Sequence, residues 1–216
     1  MALDISSLGD AVHDILGLSD YEKLQNTPGA ICFEEKFEKC TVELIFSYHK
    51  MVSGYSFRNG ITGRKSFSEV EGLLEKYYKK YDIKMGLGTI FRKSESVDFR
   101  DKIFDHQIMS VDTLNEVTPI LKGWIYDDIL PFLDHFKRVE DVYEKMESMP
   151  LNDRSGFVCN PMPIRSLIMK GLLKTDDFVK YGSRLEAFLD KQKDSVHYKN
   201  ETKYFEEMYQ ELKDMQ

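Results

Sequence analysis

The groups in this chain that could carry chemistry are its five histidines, its three cysteines and a few neighbouring carboxylates, and their spacing decides what each can do. A zinc site on a helix needs two histidines one turn apart, so that both rings reach one ion. His13, His49, His135 and His197 have no histidine at that spacing. His106 follows Asp105 in a stretch that reads as a strand, where adjacent side chains point to opposite faces. Cys32, Cys40 and Cys159 are odd in number and form no C-x-x-C pair, which argues against a disulfide framework or a cysteine metal site and predicts reduced thiols. Cys159 could act as a nucleophile only with a histidine brought beside it by the fold. Asp127 and Asp128 are adjacent on a predicted helix and diverge by about a third of a turn, so they do not form a paired-carboxylate catalyst. Gly86-Leu87-Gly88 lacks the third glycine of a phosphate-binding fingerprint and reads as a turn. G-x-S-x-G, P-loop, HExxH and EF-hand patterns are missing too. The expectation is therefore no catalytic residue, no cofactor and no bound metal.

One polar set stands out. Glu34, Glu43, Ser47, His49, Ser56 and Arg58 fall on the side of their predicted strands opposite the apolar residues, making a mixed-charge face. Glu34, Glu43, His49 and Arg58 are the candidate binding residues. The plainer alternative is a solvated sheet face with cross-strand ion pairs, since antiparallel sheets commonly leave one side wet.

The elements that must hold these residues follow from periodicity. Val42, Leu44, Phe46 and Tyr48 alternate with Glu43, Ile45, Ser47 and His49, the pattern of a half-buried strand. A turn at Ser53-Gly54 leads to a second alternation from Tyr55 to Ile61, the natural hairpin partner. Gly60 and Gly63 then release the chain into a helix over 66–81. Ser66 and Glu69 read as its capping box, and Phe67, Val70, Leu74, Tyr77 and Tyr81 as its apolar stripe. Residues 30–37, 89–92 and 102–111 read as further strands. From Asp112 onward the period becomes helical, with a kink or break expected at Pro131 and with Pro119 placed near a first turn. Residues 149–163, with three prolines, are the main loop of the helical half, and three helices follow. The fold class is α+β: an antiparallel sheet of about four to five strands in the N-terminal half packed on helices, with an all-helical C-terminal half. The expected organisation is an α+β unit over 1–148 and a helical extension over 149–216 packed on it, forming one continuous domain. Leu44, Phe46, Phe57, Val70, Leu74, Tyr77, Leu121 and Trp124 are the expected core.

Composition narrows the functional classes. Thirty basic against 37 acidic residues give a formal net charge of -7, which argues against a nucleic-acid partner and leaves room for a basic protein partner. No apolar run approaches the roughly 20 residues that span a bilayer, and the N-terminus lacks a basic region followed by an apolar one. A soluble cytoplasmic protein with no membrane partner is expected.

An N-terminal helix, a hairpin ending in Tyr55–Ile61 (YSFRNGI) and an apolar helix running into Ile129–Phe136 (ILPFLDHF) together resemble small bacterial α+β proteins of unknown function, some of which look like immunity proteins encoded beside toxins. The resemblance covers residues 10–148, carries no diagnostic motif and transfers fold better than function; the acidic balance, the mixed sheet face and the missing catalytic motifs are the features expected of a non-enzymatic protein-binding module. Two other readings stay open. One is an enzyme or small-molecule binder using a cleft between the sheet and the helix over 112–136, with Tyr48, Trp124, Tyr126 and Arg58 lining it. The other is a helical scaffold or oligomerisation protein, offering a stripe of Tyr204, Phe205, Met208 and Leu212 to a second copy.

Overall fold

A computed structural model describes residues 4–24, 28–57, 60–93, 103 and 106–216. The first helix, α1 (Ile5–Leu16), starts where the Asp4 carboxylate accepts the Ser7 N–H at 2.8 Å and stops at Gly17, whose φ of 72° only glycine adopts freely. Strands β1 (Glu22–Lys23), β2 (Ala30–Lys36) and β3 (Cys40–Ser47) follow. The short β4 (His49–Lys50) and β5 (Tyr55–Ser56) pair with each other, in a separate two-stranded sheet. Next come β6 (Ile61–Phe67), helix α2 (Ser68–Lys80) and β7 (Ile90–Lys93). The main sheet is antiparallel and five-stranded, in the order β1-β2-β3-β6-β7.

Three expectations about this region are corrected. The inner neighbour of β3 is β6, not the stretch 55–61. The alternation of β6 is hidden in sequence because Gly63 and Lys65 occupy inward positions between Ile61 and Phe67. Gly63 is inward because a Cβ there would collide with Ile129 Cγ2 and meet Leu133 Cδ1 at 3.0 Å. Lys65 is 5% exposed and donates to the Leu133 carbonyl at 3.1 Å. Second, Ser66 belongs to β6 and does not cap α2; Phe67 stands at the N-cap, and its N–H is taken by Thr89 Oγ1 at 3.0 Å. Third, 106–110 form no strand beyond a single bridge from Ile108 to Tyr55, while 102, 104 and 105 lie outside the described residues.

The chain then becomes helical: α3 (Val111–Lys122), a π-helical stretch Gly123–Ile129, α4 (Leu130–His135), α5 (Val139–Ser148), α6 (Met162–Leu172), α7 (Phe178–Lys191) and α8 (Glu201–Asp214). Ser110 and Thr113 form a reciprocal capping box that starts α3 well before Pro119, which therefore sits inside the helix and not near its first turn. Pro131 has no N–H to give and crowds the carbonyl four residues back. The widened π turn absorbs this, with the Leu130 N–H reaching the Ile125 carbonyl five residues back. That stretch keeps Leu121, Ile125, Ile129 and Leu133 in one buried line and leaves Trp124 half-buried, outside the core expected for it. The other seven expected core residues are buried.

The chain groups into two compact units, each built from two stretches: Met1–Lys65 with Phe91–His135, and Ser66–Ile90 with Phe136–Gln216. In the first, the apolar sheet face carries Ile31, Phe33, Val42, Leu44 and Phe46, buried with Leu8, Val12, Leu114 and Leu121 of α1 and α3. In the second, α6, α7 and α8 bury Leu167, Ile168, Phe178, Leu189, Tyr204, Phe205, Met208 and Leu212. Helices α7 and α8 approach so closely at Gly182 that a Cβ there would enter the Tyr209 ring, whose hydroxyl donates to the Val179 carbonyl at 3.0 Å.

Gly63→Ala tests the sheet packing directly. The added methyl group must displace Ile129 and Leu133, which should cost about 1–3 kcal/mol, read as a lowered urea midpoint with unchanged slope.

Candidate functional site

The outer face of the first unit's sheet is where the predicted polar residues fall. Alternation places Val42, Leu44 and Phe46 inward and leaves Thr41, Glu43, Ile45 and Ser47 partly exposed. On β2 the same side carries Ala30, Cys32 and Glu34. Glu34 and Glu43 are direct cross-strand partners, as are Cys32 with Ile45 and Ala30 with Ser47. Glu22 of β1 stands opposite Glu34, so one row of three carboxylates crosses three strands. Two cations flank it: Lys36 Nζ lies 2.7 Å from Glu34, and Arg64 Nη1 lies 3.3 Å from Glu43. Burial raises the Glu43 carboxyl above its ordinary range; Arg64 opposes that shift and Glu34 reinforces it.

Of the four predicted binding residues, the structure therefore brings Glu34 and Glu43 together. His49 is exposed on β4, paired with Ser56 in the separate hairpin. Arg58 lies outside the described residues. Ser56, read as projecting from the same face, is 1% exposed and belongs to the interior. Glu22, Lys36 and Arg64 are the members that sequence reasoning missed. Lys36 was legible two positions beyond Glu34, but Arg64 required recognising β6 as a strand.

The helices α3 and α4 do not cover this face. Ile129 of the π-helical stretch and Leu133 of α4 meet Gly63 and Lys65, which share the inward side of the sheet, so at that point the space between sheet and helix is filled by side chains. Tyr126 is turned to α1, where its hydroxyl donates to the Leu16 carbonyl at 2.9 Å. Asp128 forms an ion pair with Arg92 at 2.9 Å, and the Arg92 guanidinium lies over the Phe132 ring at 5.3 Å.

The second unit holds the most deeply buried charges. Arg165, fully buried, donates through Nε and Nη2 to the two carboxylate oxygens of Glu71 at 2.8 and 2.7 Å. Glu71 also accepts from the Thr89 hydroxyl at 2.9 Å and the Gly88 N–H at 3.0 Å, and Arg165 Nη1 reaches the Asn160 carbonyl. Cys159 belongs to this network through its backbone, its N–H donating to the Thr89 carbonyl at 3.0 Å. Burial disfavours the Arg165 cation, yet the bonds to Glu71 outweigh that and raise its pKa. Nearby, the buried hydroxyls of Tyr78 and Tyr204 influence each other electrostatically without reaching hydrogen-bond geometry, and burial raises both pKa values. Lys170, 2% exposed, donates to Asp177 at 2.9 Å and to the Tyr143 hydroxyl at 3.1 Å. These are ion pairs that hold loops and helices in place.

A groove of about 680 Å³ on the same unit is lined by Tyr77, Tyr209 and several carboxylates, among them Glu186, Glu206, Glu207 and Glu211. Glu211 is paired with Lys76 and Tyr77, and Glu207 with Lys80 and Tyr81. Those hydrogen bonds, with Lys76 and Lys80 first, hold both carboxyls below the ordinary range. The groove's carboxylates thus serve largely to join α8 to α2. Tyr204, Phe205, Met208 and Leu212, the stripe expected to face a second copy, are buried within the unit, so the scaffold reading loses its surface.

Among the described residues, no cluster of three histidine, cysteine or acidic side chains is placed to hold a metal ion. No described helix is long and apolar enough to cross a membrane. No protein-family model, no curated protein and no solved structure matches the chain.

Proposed function

We propose that this chain is a non-enzymatic protein-binding module that meets a basic partner through the outer face of its five-stranded sheet. The observation that carries the reading is the register of Glu34 against Glu43, extended by Glu22. Like charges directly opposite each other weaken a sheet, so the row contributes little to folding and much to a surface that attracts cations. The neighbours Ala30, Cys32, Ile45, Ser47 and Thr62 are partly exposed and uncharged, and would meet a partner's apolar side chains beside the carboxylates. The immunity type of binder, in which a surface of one sign neutralises a partner of the other, is the form the sequence resemblance favours.

Charge reversal separates binding from folding. Glu43→Lys should change the thermal midpoint only modestly, because it exchanges the Arg64 ion pair for one with the facing Glu34. Association should slow and lose much of its salt dependence. The decisive experiment places a photo-crosslinking residue at Thr62 and compares wild type with Glu34→Lys/Glu43→Lys in cells that normally express the chain. A captured protein with a basic contact surface, lost on charge reversal, supports the reading; capture that ignores both substitutions would sink it.

A further inference from the structure

Glu34 and Glu43 face each other in register, and such partners in an antiparallel pair have Cβ atoms about 4.5–5.5 Å apart. Their side chains are 16% and 19% exposed, so water screens the pair only partly. The charged groups facing them among the described residues are Glu22 from β1, Lys36 from β2 itself and Arg64 from β6. Lys36 is 67% exposed, which leaves its ammonium largely hydrated and a weak counter-charge. Arg64, 27% exposed, is the stronger one and sits on the Glu43 side.

We propose that Glu43, held opposite Glu34 in the strand register, takes up a proton in mildly acidic solution, so that the charge this face offers a basic partner is set by pH. The idea rests on the binding reading above for its consequence, though not for its chemistry. Two carboxylates held side by side resist ionising together, and the first proton taken up relieves repulsion that each would otherwise feel. Burial of Glu43 adds to the effect and Arg64 limits it. The sign follows: as pH falls, the face loses one negative charge before isolated glutamates would, and a cationic partner then binds more weakly.

The test is a carboxyl NMR titration of the free full-length chain labelled at glutamate Cδ. Glu43 should titrate above the ordinary glutamate value of about 4.3, move down in Glu34→Gln and move further up in Arg64→Gln. A Glu43 midpoint at or below the ordinary value, or one indifferent to Glu34→Gln, overturns the proposal. Amide spectra check that each variant is folded. If one is not, the wild type decides alone, since a coupled pair gives each resonance a second inflection at its partner's midpoint and an uncoupled pair gives one. The measurement uses no partner, so its failure leaves the binding reading standing. Failure of the crosslinking experiment equally leaves the titration result intact.

Discussion

Arg165→Met should be the most damaging single substitution in the second unit, lowering its stability by about 3–5 kcal/mol. Arg165 is fully buried, and its guanidinium satisfies both oxygens of a Glu71 carboxylate that is itself 4% exposed. Removing the cation leaves that carboxylate in the interior, where the Thr89 hydroxyl and the Gly88 N–H still donate to it. The double variant Glu71→Met/Arg165→Met should be more stable than Arg165→Met, because the buried charge leaves together with its partner. It should still fall short of wild type: Thr89 loses the acceptor of its hydroxyl, and that hydroxyl oxygen positions the N–H of Phe67 at the start of α2. Urea denaturation followed by far-ultraviolet circular dichroism reads both variants. A double variant as damaged as the single one would show that hydrogen bonding to Thr89 and Gly88, and not the charge pair, dominates the network.

Phe46→Ala should cost the first unit a similar amount, about 3–5 kcal/mol. Phe46 is fully buried on β3, with the Phe33 and Phe57 rings each centred 5.6 Å away, the Phe33 ring edge-on. Truncation removes the middle ring of three and leaves a cavity between Phe33 of β2 and Phe57, which follows β5. The chain's single tryptophan, Trp124, lies in the same unit, so its fluorescence follows this transition. A loss near 1 kcal/mol would mean that α1 and α3 close over the space.

What the sequence made legible was the residues whose burial follows an unbroken period. The β3 alternation, the α2 stripe and the helices from Val139 onward all appear where the apolar spacing places them. The failures are local and have physical causes. Strand β6 reads as a turn because its inward positions carry a glycine that admits Ile129 and a lysine whose ammonium finds a helix-end carbonyl. Missing β6 hid Arg64, and with it the cation that completes the row on the outer face. Trp124 was placed in the core by α-helical spacing, which the π turn before Pro131 replaces by steps of four. Glu34 and Glu43 could be assigned to one face from alternation alone. Their direct opposition depends on the β2–β3 register, which the turn between those strands fixes and composition does not.

The pairing of Glu71 with Arg165 spans 94 residues of chain, which matters during synthesis. At roughly 5–20 residues per second, a ribosome adds that length in on the order of 5–20 s. For most of that interval the helix over Ser68–Lys80 is already synthesised, with Val70, Leu74 and Tyr77 still lacking the later helices that bury them. Its Glu71 carboxylate meanwhile stays in water, which disfavours premature burial of the stripe in some other apolar surface. The same acidic side chain that anchors the finished interior therefore acts, before its arginine exists, as a solubilising group on an incomplete chain.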